Sequence, residues 1–167
     1  MEKRPNWREI VEKHQEQVLR IAVRILGSLH DAEDVAQDVF VEAYQLHRRG
    51  GVDGWTGLLV RMATLRAIDR LRRARSARAL CDDDRATDEG PFEEAVAREL
   101  AERLRGAVTQ LPDQQAAVFT LAAFEQLSRG EIAASLQISP QAVSTALYKA
   151  RQQLMSELNV LDQGERS

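Results

Sequence analysis

The chain has 167 residues, only 5% of them aromatic, and a formal net charge of −3 at pH 7. Ala, Leu, Arg, Glu and Gln dominate, which favours helix throughout because these side chains lose little rotamer freedom there. A single cysteine, Cys81, excludes a disulfide framework or a Cys-based metal site within one chain, and His14, His30 and His47 share no ligand spacing, so no metal or other cofactor is expected.

No signal peptide or long apolar run is present, so the expectation is a cytoplasmic protein without membrane insertion. The small net charge hides an asymmetry. Residues 1–79 carry 15 basic and 11 acidic side chains, residues 80–97 one basic and seven acidic, and residues 98–167 seven and eight. Local fields therefore say more about partners than the overall charge does.

The first predicted helix runs from about Trp7 to Leu26, where Trp7, Ile10, Val11, His14, Val18, Ile21, Ala22 and Ile25 recur at three- and four-residue steps. Gly27-Ser28 stops it. Asp31 suits the N-cap of a second helix with Ala32, Val35, Ala36, Val39 and Ala43 inward, and Glu33, Asp34, Gln37, Asp38 and Glu42 outward. Gly50 to Gly57 reads as a loop by its glycines, and it lacks the Lys-Ser/Thr of a phosphate-cradling loop. Trp55 within it is either a cap on the core or an exposed stacking platform.

Helix resumes at Leu58, with Leu58, Met62, Leu65 and Ile68 inward. Arg61–Arg78 holds seven arginines (Arg61, Arg66, Arg70, Arg72, Arg73, Arg75 and Arg78) against one acid, Asp69. A solvated helix usually alternates signs, so this one points to nucleic acid or an acidic protein surface. Residues 82–94 are acidic and poor in apolar groups, the composition of a flexible linker, and Cys81 beside Asp82, Asp83 and Asp84 is expected to be unreactive.

A further helix spans about Phe92–Gln110 and breaks at Leu111-Pro112. The next draws core from Ala116, Val118, Phe119, Leu121, Ala122 and Phe124. Ser128 and Glu131 form a capping box at a helix start, with Ile132, Ala133 and Leu136 inward. Gln137 marks a turn, Ile138 plugs it, and Ser139 caps a last helix whose first position is Pro140. The pattern is a helix-turn-helix. Its second helix packs through Val143, Leu147, Ala150 and Leu154, leaving Gln141, Ser144 and Thr145 to meet base edges. The outward side of its first two turns has no Lys or Arg, and Arg129, Lys149 and Arg151 are the nearby cations.

Both halves resemble the extracytoplasmic-function (group IV) sigma factors of bacterial RNA polymerase, members of the sigma-70 family. Asp31-Ala32-Glu33-Asp34-Val35-Ala36-Gln37-Asp38-Val39-Phe40 is similar to the region 2 signature, and Ala67-Ile68-Asp69-Arg70-Leu71-Arg72-Arg73 to the end of the promoter-melting helix. Leu111-Pro112-Asp113-Gln114-Gln115, Val118-Phe119, Leu127-Ser128, Glu131-Ile132-Ala133, Ile138-Ser139 and Ala150-Arg151 resemble region 4. The chain departs from the family's usual residues at Leu58, Leu65, Gln137, Ala142, Ser144 and Ala146.

The resemblance implies an all-α fold of two small helical domains, with region 2 at residues 1–79, an acidic linker at 80–95, region 4 at 96–160 and a tail at 161–167. It implies that Asp34, Gln37, Asp38 and Phe40 bind the polymerase. Promoter DNA would be met at the −10 element by Trp55, Arg61, Arg66, Arg70, Arg72 and Arg73. At the −35 element it would be met by Arg129, Ser139, Gln141, Ser144, Thr145, Tyr148, Lys149 and Arg151. The implied partners are core RNA polymerase, promoter DNA and an anti-sigma factor. Two other readings remain open: a sigma-like adaptor or decoy that does not read promoters, and a dimeric helix-turn-helix repressor. An enzyme is not expected, because Asp34 and Asp38 have no base, nucleophile or pocket set around them.

Overall fold

A computed structural model describes residues 4–81 and 91–164, and the side chains of 81 and 160–164 lie outside it. Among the described residues there are seven helices in chain order: α1 Trp7–Leu26, α2 Leu29–Arg49, α3 Trp55–Cys81, α4 Phe92–Thr109, α5 Asp113–Ala123, α6 Arg129–Leu136 and α7 Pro140–Gly164.

The first three form one bundle. Helix α1 opens with a capping box between Asn6 and Glu9 and closes on Gly27, which takes the left-handed conformation (φ 68°) that suits a helix end. Ser28, not Asp31, caps α2: its hydroxyl accepts from the Asp31 amide at 3.3 Å. Ser28 holds the extended backbone an N-cap requires, and Asp31 stands three residues into the helix, where its carboxylate is free for other work. The apolar stripes of α1 and α2 meet α3 through Ile10, Val18, Ile21, Ile25, Val35 and Val39, all buried. Small fully buried residues, Ala22, Ala32, Ala63 and Ala67, let the helix axes approach closely.

Helix α3 begins at Trp55, earlier than the glycine pattern suggests, because the Gly54 carbonyl already accepts from the Leu58 amide at 3.3 Å. Its core face is Leu59, Val60, Ala63, Ala67, Ile68 and Leu71. Leu65, expected inward, is 36% exposed, because it looks across to the second half of the chain, in a cleft it shares with Arg61, Asp113 and Ile138.

The second bundle is α4 to α7, with Val108, Leu111, Val118, Leu121, Ile132, Val143 and Leu154 at its centre. The box at Ser128 forms in both directions: Glu131 accepts from the Ser128 amide at 2.7 Å, and the Ser128 hydroxyl accepts from the Glu131 amide at 3.1 Å. Gln137 then turns the chain in the left-handed region (φ 57°), and the Ser139 hydroxyl accepts from the Ala142 amide at 3.1 Å. Helix α4 starts at Phe92, within the stretch expected as linker, and α7 continues to Gly164, within the stretch expected as tail. Most of the acidic linker, residues 82–90, lies outside the described residues, as does the side chain of Cys81.

Buried polar groups are largely satisfied, as a folded interior demands. Thr64 and Thr120 donate to carbonyls one turn back, and His14 bonds the Ile10 carbonyl and the Thr56 hydroxyl, each at 2.9 Å. Replacing Ser128 by Ala removes one arm of the box and is expected to cost about 1 kcal/mol. The readout is a lower urea midpoint with an unchanged m-value. An unmoved midpoint would mean that this cap contributes nothing.

Candidate nucleic-acid interface

Helix α7 presents the side chains a groove-reading helix needs. Gln141, Ser144, Thr145, Tyr148, Lys149 and Arg151 are exposed on it, Tyr148 at 66%, while Val143, Ala146, Ala150 and Leu154 anchor the opposite face. Ser139 is taken up in capping. Arg129, from the start of α6, donates to the Ser144 hydroxyl at 3.0 Å, so one cation is drawn over the first turn of an otherwise uncharged exposed face. That arrangement puts hydrogen-bonding side chains on one exposed face, with Arg129, Lys149 and Arg151 as the exposed cations beside it.

Most of the arginines of α3 are engaged by groups within the chain. Arg66 is bound to Glu42 of α2. Arg70 donates to Asp31 at 2.8 Å and lies 3.6 Å from Asp34. Arg72 faces the second bundle, donating to the Leu111 carbonyl at 2.7 Å, the Thr109 carbonyl at 3.3 Å and the Asp113 carboxylate. Arg61 donates to the Gln137 side chain at 3.0 Å. Arg75 and Arg78 flank Glu102 at 3.7 and 3.8 Å. Of the six residues expected to meet the −10 element, Arg73 alone is an exposed arginine with no ion pair or hydrogen bond among the described residues.

Trp55 is half-buried. Its ring lies edge-on to Trp7 with centroids 6.2 Å apart and 5.8 Å from His47, in a cluster that also takes in Phe40 and Tyr44 through Trp7. His47 is itself fixed by a 3.0 Å bond to the Pro5 carbonyl. The geometry makes Trp55 a core cap first, with only its outer surface free for stacking.

On α2, Gln37 and Asp38 are exposed, Asp34 is half-exposed and tied to Arg70, and Phe40 is half-buried against Trp7. Exposed Val41 and Tyr44 extend the same helix surface. The Arg70 guanidinium, by its hydrogen bond, holds the Asp31 carboxyl below its ordinary value of 3.8, and Asp31 raises Arg70 in return. Burial lowers Arg75, which Glu102 partly offsets.

Arg24, Arg20, Arg105 and Glu125 were not singled out by sequence reasoning. Arg24 donates to the Phe124 carbonyl at 2.6 Å and to Glu125 at 2.9 Å, Arg20 lies 3.5 Å from Glu125, and Arg105 donates to the Ile25 carbonyl at 3.1 Å. No local pattern marks such pairs.

Among the described residues no group of acidic, His or Cys side chains could hold a metal ion, and no helix is long and apolar enough to cross a membrane.

Residues 10–77 match the family described as Sigma-70 region 2, and residues 101–154 match Sigma-70, region 4. The chain belongs to the sigma-70 family of transcription initiation factors and, by its relatives, to the extracytoplasmic-function branch. It is 35% identical over 162 residues to the ECF RNA polymerase sigma factor SigE of Mycolicibacterium smegmatis, matching 92% of this chain but 62% of that protein's length. It is 28% identical to the ECF RNA polymerase sigma factor SigW of Bacillus subtilis, covering 92% of this chain and 89% of SigW. The fold is similar to that of CnrH, solved in complex with the cytosolic domain of CnrY (TM-score 0.59, 24% identity, 92% of this chain and 88% of that one). It is also similar to the sigma factor RpoE of Bartonella quintana, solved with the anti-sigma factor NepR (TM-score 0.54, 14% identity, 92% and 96% covered).

Asp31 gives a pH test. A depressed carboxyl contributes stability that is present above its unfolded value, about 3.9, and is lost as pH falls through its lower folded value. Asp31→Asn is expected to cost about 1 kcal/mol at neutral pH, combining a half-exposed ion pair with a charge at a helix N-terminus. The gap from wild type should narrow as pH falls below the unfolded value and through the lower folded one. A gap that does not change with pH across the acid range would show that the Arg70 pair is not its source.

Proposed function

We propose that this chain is a promoter-specificity subunit: it binds core RNA polymerase, carries it to a particular set of promoters and helps open them. The observation that carries this reading is the exposed reading face of α7 on a capped helix-turn-helix, joined in one chain to a region 2 bundle with an acidic α2 surface.

Asp34 and Asp38 would meet a basic helix of the polymerase, with Gln37 beside them and Phe40 supporting the surface from within. Gln141, Ser144 and Thr145 would read the −35 element, with Tyr148 beside them, Ser139 fixing the first turn, and Arg129, Lys149 and Arg151 on phosphates. Near the −10 element, Arg73 and the arginines that can exchange intramolecular partners for phosphates, Arg61, Arg66, Arg70 and Arg72, would follow the backbone, with the outer surface of Trp55 against a base. The protein would act in the cytoplasm by binding rather than by chemistry of its own. Since CnrH and Bartonella RpoE were solved with protein partners, a similar anti-sigma partner is expected for this chain.

Multi-round transcription with purified core polymerase and a promoter library tests the reading: specific transcripts sharing an upstream motif are expected. Core binding without transcripts would reject promoter direction. Reversing both Asp34 and Asp38 to Lys is expected to weaken core binding at least about tenfold, near 1.4 kcal/mol or more. Unchanged affinity would remove this surface from the polymerase interface.

A further inference from the structure

We propose that His14, on the inner face of α1, is a positioning residue for promoter reading: through Thr56 it fixes the first turn of α3, and with it the outer surface of Trp55. The inference rests on the reading that Trp55 meets a base near the −10 element.

Among the described residues, His14 and Thr64 are the buried polar side chains of the first bundle, and Thr64 spends its hydroxyl on its own helix. His14, only 4% exposed, reaches another element instead. Its two ring nitrogens have unlike partners. Nδ1 lies 2.9 Å from the Ile10 carbonyl, which can only accept, so Nδ1 carries a proton. In the neutral ring Nε2 is then bare, and the Thr56 hydroxyl 2.9 Å away donates to it. The bond therefore has a fixed direction, and it joins two different helices.

Thr56 is where such a tie matters. The chain between α2 and α3 passes through Gly50 and Gly51, both at positive φ (78° and 87°), so its own backbone is permissive. Helix α3 starts directly after Gly54, which has no side chain with which to cap it. Among the described residues, the Thr56 hydroxyl makes the one side-chain hydrogen bond of residues 50–57.

The same stripe of α1 holds the preceding residue of α3. Trp7 packs edge-on to Trp55 with centroids 6.2 Å apart, and it stands about 10 Å along the helix from His14. Two successive residues of α3 are thus held at two heights on one face of α1. Apolar contact at Trp55 is non-directional and tolerates rotation of the turn, whereas a hydrogen bond at Thr56 does not. Stacking on a base needs the ring held in one orientation, so freedom at this turn emerges as lost discrimination.

The test compares base preference at both promoter elements, using purified core polymerase and promoter libraries randomised at each. Thr56→Val keeps the shape of an exposed residue and removes its hydroxyl. It is expected to flatten, about 3- to 10-fold, the same −10 position that Trp55→Leu flattens. Preference at −35 and affinity for core should stay within about twofold of wild type. Thr56→Ser, which returns the hydroxyl, should restore the preference. His14→Phe should match Thr56→Val, and the double variant should lose no more than either single, since one bond is removed in each. In imidazole ¹⁵N spectra of the free protein, His14 should appear protonated at Nδ1, with an Nε2 signal that Thr56→Val moves and Thr56→Ser returns.

Equal losses at both elements in Thr56→Val, or a Thr56→Ser variant that behaves like Thr56→Val, would make His14 a plain core residue and overturn its positioning role. So would a −10 effect of Trp55→Leu that Thr56→Val does not share. A −10 preference untouched by Trp55→Leu would instead reject the reading of Trp55 itself, and the role of His14 with it.

Discussion

A helix ends with carbonyls that nothing inside it can satisfy, and much of this molecule's tertiary arrangement follows from how those ends are met. The carbonyls near the ends of α1, α4 and α5 receive guanidinium groups from the other half of the chain. Each half has a small core, and halves of this size are marginal alone. Arginine suits the task because its planar fork reaches two acceptors at once and stays charged. Arg72 shows this by spanning Leu111, Thr109 and Asp113. Such contacts are individually modest when partly exposed, so a partner with a larger surface can outcompete them.

Helix α3 is where these demands converge. One face, Leu59, Ala63, Ala67 and Ile68, is buried in the first bundle. A second, Arg66 and Arg70, grips α2, and a third, Arg61, Arg72 and Arg75, reaches α6, α5 and α4. A helix with this surface ties α2 on one side to α4 and α5 on the other through a network of ion pairs. Asp34 stands in that network beside Arg70, so charge brought to α2 by a partner changes the field on the arginine as well.

The helices of both bundles and the helix-turn-helix were legible in the sequence because their signals are local. The stripe of α1, the box at Ser128 and Glu131, and Ser139-Pro140 each need only a few neighbouring residues. Misread details involve competition between nearby residues of similar talent. Ser28 and Asp31 can both cap, and the backbone conformation at Ser28 decides. Leu65 is apolar and on a helical period, yet it faces the other half of the chain. The arginine run gave its charge but not its partners. Arg24 and Phe124 are 100 residues apart in sequence, and nothing in either neighbourhood announces the pairing. The outward side chains of α7 were legible in the sequence, whereas the surroundings of Trp55 depended on Trp7 and His47, which only the fold brings to it.

The aromatic corner has a spectroscopic consequence. Both tryptophans of the chain, Trp7 and Trp55, stand 6.2 Å apart in the first bundle, and the second bundle has none. Intrinsic tryptophan emission is therefore a private reporter of one half of the molecule, blind to local melting in the helix-turn-helix. Because His47 touches both rings and bonds the Pro5 carbonyl, that emission also senses the anchoring of the N-terminal stretch of chain. An emission change on mixing with a ligand locates the event at this corner without any label.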